Sequence, residues 1–241
     1  MEKIYAQIRR AAIDLWRGEG LLGEKVTVKA RPLSVEEAIG NPEDDDFPLQ
    51  KGKEKLMQAE FRGAKGQAFT DRYGDFEGTF EEIFNMGHEN NYRRAILVAA
   101  LNAGLRYMGR VTDTVHCRDQ EPVECAMSLS DYVKKQYGDV KVLQVGFQPR
   151  MLEVLSKRYR MRILDLDPDN IGMVKFDVTV EGPEATEEAV KWADLLLVTG
   201  TTLVNATIET FLGNGRVLFY GTTIAGAAYL MGWNRFCAKS S

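Results

Sequence analysis

The chain has 241 residues, 44% hydrophobic and 27% charged, with a formal net charge of −4. That is an ordinary globular composition with apolar material for two modest cores, and it offers no broad basic face for nucleic acid. No stretch approaches the ~20 apolar residues of a membrane helix, and Glu2 and Lys3 place charge where a signal peptide is apolar, so a cytoplasmic protein is expected.

Ile4, Ile8, Ala11, Ala12 and Leu15 recur at helical spacing, and Gly18 and Gly20 close that first helix. Val26 to Ala30 reads as a short strand. Pro32, Gly40, Pro42, the run Asp44-Asp45-Asp46 and Pro48 mark an irregular segment, with the aspartates expected in a solvated loop. Leu56–Phe61 and Gly66–Asp71 flank a glycine-bearing turn, which predicts a β-hairpin. Thr79 with Glu82 has the spacing of a capping box for a short helix. Gly87 to Asn90 reads as a helix boundary, followed by a helix over Tyr92–Met108 that buries Ile96, Ala99, Ala100 and Ala103.

The pattern changes after Gly138-Asp139. Strands are predicted at Lys141–Gly146, Met161–Asp167, Leu195–Gly200 and Arg216–Gly221. Helices are predicted from Gln148-Pro149, over Glu184–Trp192, over Thr202–Leu212 and over Ile224–Met231. Strands apolar on every residue and alternating with helices indicate a parallel sheet covered on both faces. The fold class expected is α/β: a C-terminal Rossmann-like parallel sheet over residues 126–241, preceded by a smaller α+β domain over 1–125.

Three strands end in glycine, at Gly146, Gly200 and Gly221. In open α/β sheets ligands bind outside the carboxyl ends of the strands, and glycine there lets backbone come close to them. A tight strand-to-helix turn would explain any one of these glycines alone. Gly146-Phe147-Gln148-Pro149 is not the GxGxxG of a nicotinamide site. Asp165 and Asp167 would face one side of their strand, either to orient a ligand or to cap turns. Thr199, Thr201, Thr202 and Asn205 form the densest polar cluster; one hydroxyl suffices to cap a helix, and the set suits a polar or anionic small molecule at a helix start.

A second cluster holds His116, Cys117 and Cys125, with transition-metal donor chemistry. Its spacing matches no zinc finger or ribbon, and adjacent His116 and Cys117 point apart in an extended chain. Cys125 suits packing as a small apolar residue. With three cysteines, the third being Cys237, and no CxxC pair, a disulfide framework is not expected.

Val145-Gly146-Phe147-Gln148-Pro149, Leu164 to Pro168, and Ala193 to Asn205 with its Thr-Gly-Thr-Thr-Leu-Val-Asn run together resemble the DUF364 family, associated with heavy-metal chelation. The N-terminal part, with its hairpin and Ala100-Leu101-Asn102-Ala103, resembles the enolase-N-terminal-like domain that accompanies it. The resemblance implies a site between the two domains that makes, cleaves or handles a chelating compound such as a pterin, a flavin-like molecule or a siderophore. Carried onto matching positions, that site comprises Gly146, Asp165, Asp167, Thr199, Gly200, Thr201, Thr202 and Asn205. A binder of a transition metal or metal chelate through His116, Cys117 and Cys125 is the alternative. An S-adenosylmethionine-dependent transferase is a third reading, permitted by the acidic strand end and opposed by the missing glycine-rich loop.

Overall fold

A computed structural model describes residues 2–29, 36, 38, 40, 54–213 and 215–241. The aspartate run lies outside the described residues. The chain begins with α1, Glu2–Gly18, whose Tyr5, Ile8, Ala12 and Trp16 are buried at helical spacing. Strands β1 (Lys25–Lys29), β2 (Lys55–Phe61), β3 (Ala64–Thr70) and β4 (Phe76–Thr79) form an antiparallel sheet in the order β3-β2-β1-β4. The predicted hairpin is β2–β3. Its turn is only Arg62-Gly63, with φ of 49° and 84°, the two left-handed positions that match the twist of paired strands.

The capping box at Thr79 is present. The Thr79 hydroxyl accepts the Glu82 N–H, the Glu82 carboxylate accepts the Thr79 N–H, and α2 runs Phe80–Asn85. Asn90 caps the next helix, α3, Asn91–Tyr107. The four residues expected inside are buried, but so is every residue from Arg94 to Leu105. The helix is enclosed all round because β3 lies on one side and the C-terminal half of the chain on the other. Small residues make this possible: Gly66 of β3 packs directly against the Ala99–Ala103 backbone.

Next comes α4, Glu121–Tyr137, which the sequence reading did not predict. Its first turn holds Pro122, and Cys125, Ala126, Leu129 and Val133 form its inner stripe. The second sheet follows as β5 (Lys141–Val145), β6 (Arg160–Leu164), β7 (Val174–Lys175), β8 (Val178–Glu181), β9 (Leu195–Thr199), β10 (Arg216–Tyr220) and β11 (Arg235–Phe236). Its order is β11-β10-β9-β5-β6-β8-β7, and its only antiparallel pairing is β7 with β8. Counted from β5, the parallel strands therefore stand 6-5-4-1-2-3, the order of doubly wound sheets.

Helices α5 (Pro149–Ser156), α6 (Thr186–Trp192), α7 (Thr201–Val204) and α8 (Ala225–Met231) connect these strands. Successive strand residues serve opposite faces. Val142, Leu195, Leu197 and Leu218 pack with α4 and α5, while Leu143, Leu196, Val198 and Phe219 join the core that runs on into α1 and α3. The helix predicted over Thr202–Leu212 is corrected: α7 stops at Val204 and only a 3₁₀ turn, Ile208–Thr210, follows. Ala206 takes φ 61°, a left-handed conformation that a continuing helix cannot contain. No helix among the described residues is long and apolar enough to cross a membrane.

Candidate functional site

After β5 the chain turns to β6 on one side; β9 lies on the other. The loops leaving β5 and β9 therefore diverge, and a crevice opens between them. All four strands β5, β6, β9 and β10 point the same way, so Gly146, Asp165, Gly200 and Gly221 stand at one edge. A cavity of about 750 Å³ occupies that edge. The antiparallel half closes it from the opposite side with Glu54, Phe69, Asp71 and Asn91.

Gly146 has φ 89°, and a Cβ there would lie 2.7 Å from Thr199 Cγ2. Tyr220 holds the same loop by donating its hydroxyl to Val145 O at 3.0 Å and to Gly146 O at 2.9 Å. Burial pushes the Tyr220 phenol far up, so it stays a donor at any physiological pH. Gly146→Ala is expected to cost about 2 kcal/mol, from left-handed strain plus displacement of Thr199. Urea denaturation checks this, and an unchanged midpoint would refute it.

Asp165 braces the neighbouring loop. Its Oδ2 accepts the Phe147 N–H at 2.6 Å, and its Oδ1 accepts the Asp167 N–H at 2.7 Å and Asn170 Nδ2 at 3.3 Å. Asp167 Oδ1 accepts the Asp169 N–H at 3.0 Å. The strand ends at Leu164, so the two aspartates belong to a turn and not to one face of a strand; both cap backbone and both border the cavity.

Thr199 Oγ1 accepts from Thr201 Oγ1 at 3.1 Å, and Thr202 Oγ1 donates back to Thr199 O at 2.7 Å. Neither hydroxyl caps α7, whose N-terminal boundary is Gly200. Four residues of helix sum too few peptide dipoles for the anion site expected there. Asn205 Oδ1 accepts from Asn91 Nδ2 at 3.4 Å, and the same Nδ2 donates to Asp71 Oδ1 at 2.6 Å. This chain of amides ties the threonine loop to the antiparallel half.

All eight residues carried over from the resemblance border this one cavity: Gly146, Asp165, Asp167, Thr199, Gly200, Thr201, Thr202 and Asn205. His116, Cys117 and Cys125 border it too, although the first two were expected to point apart; residues 116–118 are not a strand, so the alternation argument does not apply. The chain end pairs with Val115 through reciprocal backbone bonds of 2.8 and 3.1 Å, which brings Cys237 to the same rim.

His116 meets the Phe69 ring edge-on at 5.2 Å, and burial lowers its pKa to about 4, so it is neutral at pH 7. Burial pushes the Cys117 and Cys125 thiols up, away from the thiolate that a metal requires. Among the described residues, no three His, Cys, Asp or Glu side chains gather in an arrangement that would hold a metal ion. The donors present are thus a poor fit to a metal centre.

Sequence reasoning missed the front wall and one loop of the back wall. Gly221-Thr222-Thr223-Ile224 repeats the pattern of Gly200-Thr201-Thr202-Leu203 one strand further on, a signal available in the sequence. Thr222 and Thr223 are 1% and 2% exposed, and Thr223 Oγ1 accepts the Phe69 N–H at 3.2 Å. Nothing in the sequence around Glu54 marked it.

The fold and cavity together define an α/β protein with a ligand-sized crevice at the carboxyl edge of a parallel sheet. The DUF364 family model, described as "Putative heavy-metal chelation", matches residues 129–223, from the middle of α4 to the loop after β10. A DUF364 protein of unknown function from Pyrococcus horikoshii has a similar structure, with TM-score 0.59 and 14% identity, covering 91% of this chain and 79% of its own. Another, from Desulfitobacterium hafniense, gives TM-score 0.51 and 16% identity, covering 74% of this chain and 72% of its own. At these identities the likeness concerns the fold alone. No curated protein matches the chain.

Proposed function

We propose that the protein takes a flat chelating organic molecule, of the pterin-, flavin- or siderophore-like kind, into the crevice of a Rossmann-like domain faced by an enolase-N-like one. The supporting observation is the convergence of four strand-end loops on one cavity of about 750 Å³, a volume within the range of small-molecule sites. Phe69, Phe147, Met151, Leu164 and Phe211 supply apolar walls, and the threonine and asparagine groups supply orienting hydrogen bonds. On this reading a metal arrives as part of the ligand, since the donors among the described residues do not assemble around one.

A thermal-shift panel of pterin, lumazine, riboflavin and a catecholate siderophore tests it, with S-adenosylmethionine as a separate arm. Ligand at a hundredfold excess over its Kd adds about 2.7 kcal/mol, which for a chain of this size is a rise of roughly 5–10 °C in Tm. No response to any of the four compounds would remove the reading. A response to S-adenosylmethionine alone would replace it with the transferase.

A further inference from the structure

We propose that the cavity selects a ligand with an apolar aromatic body and a cationic or N–H-donating edge, of the amidinium or aminoheterocycle type, and that Glu54 is the group that receives that edge. The inference rests on the reading that this cavity is a ligand site, and adds the chemical class.

The charged groups of the described residues on the cavity wall are of one sign. Glu54 precedes β2, Asp71 follows β3, and Asp165 and Asp167 follow β6. Among the described residues lining the cavity there is no lysine or arginine. Other titratable groups bordering the cavity add no compensating charge: His116 before α4 is neutral, and the Cys117 and Cys125 thiols and the Tyr220 phenol are held protonated.

The carboxylates are not equivalent. Asp165 is saturated by Phe147, Asp167 and Asn170, and Asp71 is bonded to Asn91. Glu54 has no hydrogen-bond partner among the described residues. Burial first, then repulsion from Asp165, Asp71 and Asp167, raises its pKa to about 7.

Two neutral atoms nearby also await a partner. Thr222 Oγ1 is buried, in a residue 1% exposed on the cavity wall, and has no hydrogen bond; the same holds for the buried Nδ1 of His116. Buried polar atoms without partners are uncommon in folded proteins. A negative wall rejects anions such as carboxylates and phosphates, and within the proposed class it favours the pterin- and flavin-like heterocycles over an anionic siderophore. A cation between Glu54 and its neighbours relieves their repulsion, while the aromatic walls cover the rest of the ligand.

Three isosteric probes separate charge from shape: benzamidine, benzamide and benzoate, titrated by ligand-observed NMR. Benzamidine is expected to bind at least about tenfold more tightly than benzamide, with benzoate undetected. Binding of a cation favours ionised Glu54, so benzamidine affinity rises as pH passes from 6 to 8 through a pKa of about 7, by up to about tenfold. In Glu54→Gln that slope disappears.

A folding readout comes with it. In the free protein the raised pKa makes the folded state hold more protons than the unfolded one between the ordinary carboxylate range and about 7, so this group's contribution falls as pH rises across that window. Glu54→Gln should therefore melt above wild type at pH 8 and level with it at pH 4. Equal binding of the three probes, or a benzamidine preference and pH slope unchanged in Glu54→Gln, would overturn the inference. The heterocycle panel on wild type judges the cavity separately: heterocycle binding without a cation preference leaves the site and removes only its charge selectivity.

Discussion

Asn102→Leu is expected to lower the unfolding free energy by about 3–5 kcal/mol and to abolish ligand stabilisation as well. Asn102 is 0% exposed, and it sits where β3, α3 and the loop into α8 meet. Its Nδ2 donates to Gln67 O at 2.9 Å, to Thr222 O at 3.1 Å and, at 3.3 Å, to Thr223 O. Its Oδ1 accepts the Gly226 N–H at 2.7 Å. Two hydrogens shared by three carbonyls, plus one accepted bond, satisfy four backbone groups of two different segments. Leucine has the same number of side-chain heavy atoms and the same branching and satisfies none of these groups, so the cost is that of stranded polar groups and not of a cavity. The loop it holds contains Thr222 and Thr223, so the cavity wall should loosen as the fold weakens. Urea denaturation with and without a binding heterocycle measures both effects. A loss under about 1 kcal/mol would mean that water replaces the amide and that the two halves are held by apolar packing and their other polar links, such as Phe69 N–H to Thr223 Oγ1.

The contrast between Asn102 and its neighbours shows how far the sequence was legible. Apolar periodicity identified α1, α3 and the strands β5, β9 and β10, because each meets the core along a regular stripe or along its whole length. Chain chemistry identified the Thr79 capping box and the turn of β2–β3. The hairpin β7–β8 was not legible: its turn is Phe176-Asp177, with φ of 51° and 62°, where a glycine or asparagine would have announced it. Helix α4 is legible only in part: Ala126, Leu129 and Val133 make a plain helical stripe, but Cys125 at its start also fits donor chemistry.

The site was half visible for a related reason. Residues at strand ends are close in both sequence and space, so the Gly146, Asp165 and Thr199–Asn205 loops could be read from pattern. Glu54 and Asp71, at the ends of β2 and β3, reach the cavity through an approach between sheets that lie far apart in sequence. Local pattern carries no information about such approaches, and they bring Glu54 and Asp71 to a described wall that already holds Asp165 and Asp167. Of the polar or anionic small molecule expected at the threonine loop, the anionic option loses its physical basis: α7 ends after one turn, and the charged groups of the described wall are carboxylates.

Gly66→Ala should be the costliest added methyl among the described glycines. A Cβ at Gly66 would stand 2.1 Å from Ala103 N, 2.5 Å from Ala99 O and 2.7 Å from the Asn102 carbonyl carbon. All three are helix backbone, which no rotamer change can move, and carbon contacts are comfortable only near ~3.5 Å. Helix α3 would have to withdraw from β3 by about 1 Å, yet its other side is held against α8 by Asn102 and Gly226. The expected cost is about 3 kcal/mol or more, at or beyond the upper end for overpacked cores. Gly63→Ala serves as the control, because that position has φ 84° and open space around it; it should lose only the roughly 1–2 kcal/mol of left-handed strain. The two large effects are coupled. Once α3 has withdrawn, the Asn102 bonds to Gln67 and to the α8 loop are already stretched, so removing Asn102 from the Gly66→Ala protein should cost less than removing it from the wild type. Strict additivity in that double-mutant cycle would show that the close approach of β3 to α3 and the amide clamp act independently, and that helix withdrawal is not how the chain accommodates the added methyl.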